Sequence, residues 1–192
     1  MCVNSFQFYQ NSHKMSLDKH LKSKFFLLLL LSFAISASAQ INLPKSHFNF
    51  DFPEGGWKYL QTTNIDKNTT IYLYSRTVCV LSKDGDTILP FLRIYVKENV
   101  DNFTAMDFAL RRFLKQPFDV LEEFTASQFL PTEDAIGYVG QYKDKSNINC
   151  QFYMIYFVYK KTLVEFRLET SADTFDKLKE EFEGILNTIN LN

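Results

Sequence analysis

From residue 87 to residue 97 apolar and polar side chains alternate, with Leu92, Ile94 and Val96 in one phase and Arg93, Tyr95 and Lys97 in the other. A period of two predicts a strand with one side buried. The same alternation over 70–75 sets Ile71 and Leu73 against Tyr72 and Tyr74, and predicts a second strand of this kind. Ahead of them, 48–52 begins the structured part of the chain. Pro53, Glu54, Gly55 and Gly56 form a turn, and Trp57 opens the next strand. A β-rich stretch over 77–81 leads into Lys83-Asp84-Gly85-Asp86, which has the composition of a hairpin turn. Four strand-like segments then succeed one another at 118–126, 135–142, 149–159 and 162–169, and their short connections favour antiparallel hairpins.

In two places the period lengthens to that of a helix. Over 104–116 the residues Met106, Ala109, Leu110, Phe113 and Leu114 form an apolar stripe, with Asp107, Arg111, Arg112 and Lys115 on the exposed side. Asp101 or Asn102 is expected to cap this helix and Pro117 to stop it. Over 173–189 a longer stripe contains Phe175, Leu178, Phe182, Ile185, Leu186 and Ile189. The predicted class is therefore α+β, an antiparallel sheet of about six strands packed with two main helices. Both helices are expected on the sheet face carrying Leu73, Leu92, Ile94, Val96, Met154, Val158, Val164, Phe166 and Leu168. The opposite face would then collect Tyr72, Tyr74, Arg93, Tyr95, Tyr153, Phe157, Tyr159 and Arg167, with Tyr138 and Tyr142 beside them. Tyrosine and arginine are enriched at binding hot spots, so this plate is the expected contact surface for another protein or for a second copy of the chain.

The N-terminal segment changes the picture of where that surface works. Lys19, Lys22 and Lys24 precede an eleven-residue apolar run from Phe25 to Ile35, and Ala37-Ser38-Ala39 is a small-residue cleavage site. This is the pattern of a signal peptide. Met15 would start a more compact leader than Met1. The run falls well short of the roughly 20 residues needed to span a bilayer, so no stable membrane anchor is expected after cleavage. The organisation expected is a signal peptide at 1–39, a linker at 40–47 and a single domain at 48–192, exported to the periplasm or beyond the cell. One hydrophobic core suffices for that length.

The chain has 21 Lys and Arg against 22 Asp and Glu. With Lys14, Lys19, Lys22, Lys24 and Asp18 in the leader, the remainder is net acidic, which makes nucleic acid a poor partner. Cys79 and Cys150 remain after cleavage and permit one disulfide, yet both sit in apolar runs where a free core thiol is ordinary.

Catalytic signatures are absent from the sequence after residue 39. It has no Gly-rich phosphate loop, paired-histidine metal motif, Cys-x-x-Cys or nucleophile elbow, and His47 is its one histidine. Asp84 and Asp86 flank a turn glycine without the remaining ligands of a calcium loop. Glu122 and Glu123 are neighbours on a strand, so they point to opposite faces and cannot share a proton. No enzyme activity, cofactor or metal is expected. A hydrolase with carboxylates converging from separate strands, or a carrier of a small ligand or lipid between sheet and helices, are the alternatives.

The order of elements, with a Trp-led strand after Pro53 and Gly56, one helix, a four-strand run and a long C-terminal helix, resembles the PsbP-like superfamily. The closest likeness is at the end: Tyr159-Lys160-Lys161-Thr162-Leu163-Val164-Glu165-Phe166-Arg167-Leu168, then Ser171 and Asp173, then Phe175, Phe182, Ile185 and Leu186. The resemblance implies an α/β sandwich around an antiparallel sheet. It also implies a binding, adaptor or assembly role, since members of that superfamily are mostly of this kind. It carries no site residue over to this chain.

Overall fold

A computed structural model describes residues 40–192 with the exception of 45, 54, 55, 116, 117 and 146. The expected leader lies outside the described residues. The strands, in chain order, are β1 (Ile41–Asn42), β2 (Phe48–Phe50), β3 (Trp57–Asp66), β4 (Thr69–Arg76), β5 (Val80–Leu81), β6 (Thr87–Ile88), β7 (Phe91–Lys97), β8 (Asp119–Phe124), β9 (Ala135–Lys143), β10 (Asn149–Tyr159), β11 (Thr162–Ser171) and β12 (Asn190–Leu191). Helix α1 (Ala105–Lys115) joins β7 to β8, and helix α2 (Ala172–Leu186) follows β11. Seven strands form one antiparallel sheet in the order β3-β4-β7-β11-β10-β9-β8. The fold is the α+β sandwich that the pattern predicts, with one strand more than expected.

Strand β11 holds the middle of the sheet, and all ten of its residues are buried. Both of its faces are covered, which explains why Leu163, Val164, Phe166 and Leu168 read as a nearly continuous apolar run. The register shows which residues share a side. Leu92, Ile94 and Val96 lie opposite Leu168, Phe166 and Val164, and Tyr153 and Phe157 lie opposite Leu168 and Val164 on the other neighbour. Phe175, Leu178, Phe182, Ile185 and Leu186 of α2 pack on that side with Phe48 and Phe50 of β2. Phe50 meets the rings of Phe166 and Tyr74 edge to face, at 5.4 and 5.7 Å between centroids.

The two helices do not share a face. Helix α1 covers the opposite side of β9 and β10, where Ala105 and Ala109 pack with Ile136, Phe152, Met154 and Tyr156. The expectation of one helix-covered face is right for the β7 and β11 residues and wrong for Leu73, Met154 and Val158. Pairing places these three opposite Arg93, Arg167 and Leu163, on the α1 side. In a strand flanked by large side chains in both phases, alternation alone leaves the phase open. Here Tyr72, Tyr74, Tyr153 and Phe157 go to the layer of α2 and β2, and Leu73, Met154 and Val158 go to the α1 side.

Other local expectations need revision. Residues 40–47 are not a linker, because β1 and β12 both pair with β2, and Leu43 and Ser46 are buried. The cap of α1 is Thr104 and not Asp101 or Asn102. The Asp107 amide donates to Thr104 Oγ1 at 3.1 Å while Asp107 Oδ2 accepts from the Thr104 amide at 3.0 Å, a reciprocal capping box. Asp101 instead pairs with Lys161 at 2.9 Å, and Asn102 takes a left-handed conformation, φ 60°. Cys79 and Cys150 are both free, and Cys79 is an exposed loop residue, not a core thiol. The turn around Gly85 is as expected, with the Ser82 amide donating to the Asp86 carbonyl and Gly85 at φ 86°.

Candidate functional site

The eight residues expected to form one binding plate are divided between the two sides of the sheet. Tyr72, Tyr74, Tyr153 and Phe157 are buried in the α2 layer, and Tyr159 is half-buried against the same cluster. Their rings make core contacts while hydroxyls reach outward, as in the 2.7 Å bond from Tyr153 to Glu183 and the 3.1 Å bond from Tyr72 to the Pro44 carbonyl. Burial pushes the Tyr74 phenol up to about 12, so it stays neutral at physiological pH. Arg93, Tyr95 and Arg167 lie on the α1 side, together with Tyr138 and Tyr142. The described residues form no open plate of the predicted composition.

The α1 side contains a buried charge network. Glu165, in the middle of β11, has a side chain with 0% exposure. It accepts from Arg93 at 2.5 Å and from Arg112 through two bonds, at 2.9 and 3.2 Å. Burial works to raise the Glu165 pKa, but the two guanidiniums outweigh it and hold the carboxyl below its ordinary value. Arg112 is pulled down by its own burial and more than recovered by Glu165. A few ångströms along the strand, Arg167 pairs with Glu169, and Tyr142 donates to Glu169 at 2.7 Å. The Arg167 guanidinium also lies over the Phe152 ring, 4.3 Å from its centroid. Arg112 bridges helix to sheet, and the other groups pair within the sheet. None of the carboxylates is left as a free base.

The orientation of α1 explains the network. Ala105 and Ala109, four residues apart, give the helix a narrow small-residue edge that approaches the sheet closely, and Arg112 continues that edge onto Glu165. Phe108 packs inward beside them, against Tyr95 and Tyr156, and the large residues of the predicted stripe turn out to solvent. Leu114 is 79% and Leu110 55% exposed, and Met106 and Phe113 are exposed with them. Beyond the C-terminal end of the helix, Val120 and Leu121 of edge strand β8 are also exposed. The row is bordered by Arg111 and Lys115.

Between α1, strand β7 and the loop joining them lies a cavity of about 200 Å³. Tyr95 and Phe108 face each other across its floor with centroids 5.6 Å apart, and the Arg111 guanidinium covers the Phe103 ring at 4.4 Å. The loop closes over it through Asn99 and Asn102, both left-handed, and through the Val100 amide, which donates to the Lys161 carbonyl at 3.0 Å. Sequence pattern recorded Lys97, Arg111, Arg112 and Lys115 only as exposed polar positions. The available clues were Glu165 inside an apolar run and the Ala105/Ala109 spacing. Together they mark a helix that packs by its small edge onto a buried charge.

No family model and no curated protein matches the sequence. Solved structures do. Cyanobacterial PsbP from Synechocystis sp. PCC 6803 superposes with a TM-score of 0.51 at 14% identity, over 83% of this chain and 95% of its own. The chain has a PsbP-like fold. PA94 from Pseudomonas aeruginosa, a protein of unknown function, gives a TM-score of 0.55 at 9% identity, over 81% of this chain and 97% of its own. LpqN, involved in cell envelope biogenesis of Mycobacterium tuberculosis, gives 0.49 at 10% identity, over 83% and 87%. At these identities the likeness extends to fold and no further.

Proposed function

We propose that the protein is an exported, non-catalytic binding or adaptor domain that engages a partner protein through the outer face of α1. The observation that carries this reading is the outward row Met106, Leu110, Phe113 and Leu114, presented by a helix whose inner edge is held by two alanines and an arginine. Contiguous exposed apolar side chains on a small domain mark interaction surfaces more often than chance. The bordering Arg111 and Lys115 favour a partner with an apolar stripe flanked by carboxylates. Export is supported by the basic, apolar and small-residue order of residues 19–39. The absence of a catalytic motif from the sequence, and the engagement of Glu165 and Glu169 in ion pairs, favour binding over hydrolysis.

A photo-crosslinking residue placed at Leu114 in the source cell tests the reading. A discrete adduct at 114, absent when the probe stands at the exposed Lys179 of α2, is the expected result. An identical pattern at both positions, or no adduct at 114, overturns it. Mass analysis of the N-terminal peptide of the same exported protein is expected to show Gln40 as its first residue.

A further inference from the structure

The 200 Å³ cavity beside α1 differs in charge from its surroundings. Lys97, Arg111, Arg112 and Lys115 line it, and among the described residues no carboxylate does. The 470 Å³ hollow at the other end of α1 is instead lined by Glu123, Glu133 and Asp134. Arg112 is neutralised by Glu165, whereas Lys97, Arg111 and Lys115 form no ion pair with a described residue. The carboxylates that feel two of these cations, Asp66 for Lys97 and Asp107 for Arg111, stand outside the lining. A surplus of positive charge is thus concentrated in one recess of a net acidic domain.

The walls combine these cations with apolar side chains. Tyr95, Phe103, Phe108 and the buried Leu163 supply rings and an aliphatic floor. Converging apolar walls with a few oriented polar groups are what a small-molecule site requires. The guanidinium of Arg111, lying over Phe103, offers a planar pair of donors at the rim. The volume lies below the roughly 300–1,000 Å³ of drug-sized sites, which restricts the occupant to a compact body. We propose that this cavity binds a small organic anion, a carboxylate or phosphate monoester carried on a compact apolar group. The charged head lies at Lys97, Arg111 and Lys115, and the apolar body packs against Phe108 and Leu163. The cavity shares Arg111 and Lys115 with the proposed docking face but not its apolar row, because Met106, Leu110 and Leu114 do not line it.

Titration of the full chain, followed by amide chemical shifts, tests it with four probes: phenylacetate, phenyl phosphate, benzyl alcohol and inorganic phosphate. Saturable shifts confined to residues 95–115 and 163 are expected with phenylacetate or phenyl phosphate, and whichever binds more tightly identifies the head group. Benzyl alcohol, with no charge, and inorganic phosphate, with no body, should each bind at least about tenfold more weakly than the better anion, about one decade in Kd. Affinity should also fall with added salt. The exposed pair Arg111→Gln with Lys115→Gln should reduce affinity by at least the same factor at unchanged Tm, and Lys143→Gln, outside the cavity, should not alter it. Equal binding of the neutral probe, equal binding of inorganic phosphate, full retention in the double variant, or no saturable shift would each overturn the proposal.

Discussion

Helix α2 sends Phe175, Leu178, Phe182, Ile185 and Leu186 into the sheet, whereas α1 sends Ala105, Ala109 and Arg112 inward and leaves Met106, Leu110, Phe113 and Leu114 outside. Both sequences are amphipathic at the helical period, and both would be placed with their apolar stripe inward by that criterion alone. What separates them is the surface each meets. Beneath α2 the sheet offers an unbroken apolar layer, reinforced by Phe48 and Phe50. Beneath α1 it offers Ile136, Phe152, Met154 and Tyr156, which the two alanines fit, and beside them Glu165, a buried carboxylate that needs a cation more than it needs a leucine. The two sides therefore divide the work: the α2 layer holds the fold, and the α1 layer presents a surface and a recess.

The largest loss should follow removal of a ring from the α2 layer. Phe182 is fully buried and lies beside Phe175, Tyr153 and Trp57. Phe182→Ala should cost about 3–5 kcal/mol, measured by urea unfolding. A loss under about 1 kcal/mol would mean that α2 does not close the core and would remove one side of the contrast.

A loss of similar size but different origin is expected on the other side. Glu165→Ala leaves Arg93 and Arg112 partly buried without their counter-charge, which should cost about 3–5 kcal/mol. The pH dependence distinguishes this from a cavity effect. Glu165 is held below its ordinary value in the folded protein, so its contribution is complete above the unfolded pKa, about 4.3, and is lost as pH falls through the folded value. The gap in stability between the parent and Glu165→Gln should therefore be widest at neutral pH and narrow in acid. A gap that does not change with pH would show that the network contributes packing and not charge.

Much of this architecture was legible in the chain. The alternation at β7, the stripe of α2 and the succession of hairpins from β9 to β11 all appear in the sequence because each has one face against a thick apolar layer, whereas β8 is an exposed edge strand. The phase of β4 and β10 was not legible. Tyr72 and Leu73, or Tyr153 and Met154, are all hydrophobic enough for either side, and the choice is made by Phe48 and Phe50, more than 20 residues before Tyr72. The site was hidden for a related reason. Arg111, Arg112 and Lys115 look like a solvated helix face until Glu165 is placed beneath them, a contact 53 residues apart for Arg112.

A smaller effect should come from Gly140 of β9, where the α1 side packs rings directly onto strand backbone. A Cβ there would lie 2.5 Å from the Phe152 ring and 2.9 Å from the Phe118 ring. Gly140→Ala should therefore destabilise by about 1–3 kcal/mol, the usual cost of overpacking. Retained stability would mean that the Phe118 and Phe152 rings yield freely, and that the α1 layer is softer than the α2 layer even at its base.

The smallest effect is the most informative about function, because it sets leucine against leucine. Leu178 of α2 is 3% exposed and Leu114 of α1 is 79% exposed. Leu178→Ala removes contacts from a packed interior and should cost about 2–5 kcal/mol. Leu114→Ser removes a side chain that water already surrounds, so its effect should stay within about 0.5 kcal/mol. The same holds for Leu110→Ser. If a partner covers the outer row of α1, both serine variants should lose capture of the photo-crosslinked species while unfolding at the parent urea concentration. A drop of 2 kcal/mol or more in the isolated Leu114→Ser protein would place that leucine in the domain's own core. The row would then be part of the fold, and its role as a presented surface would fall.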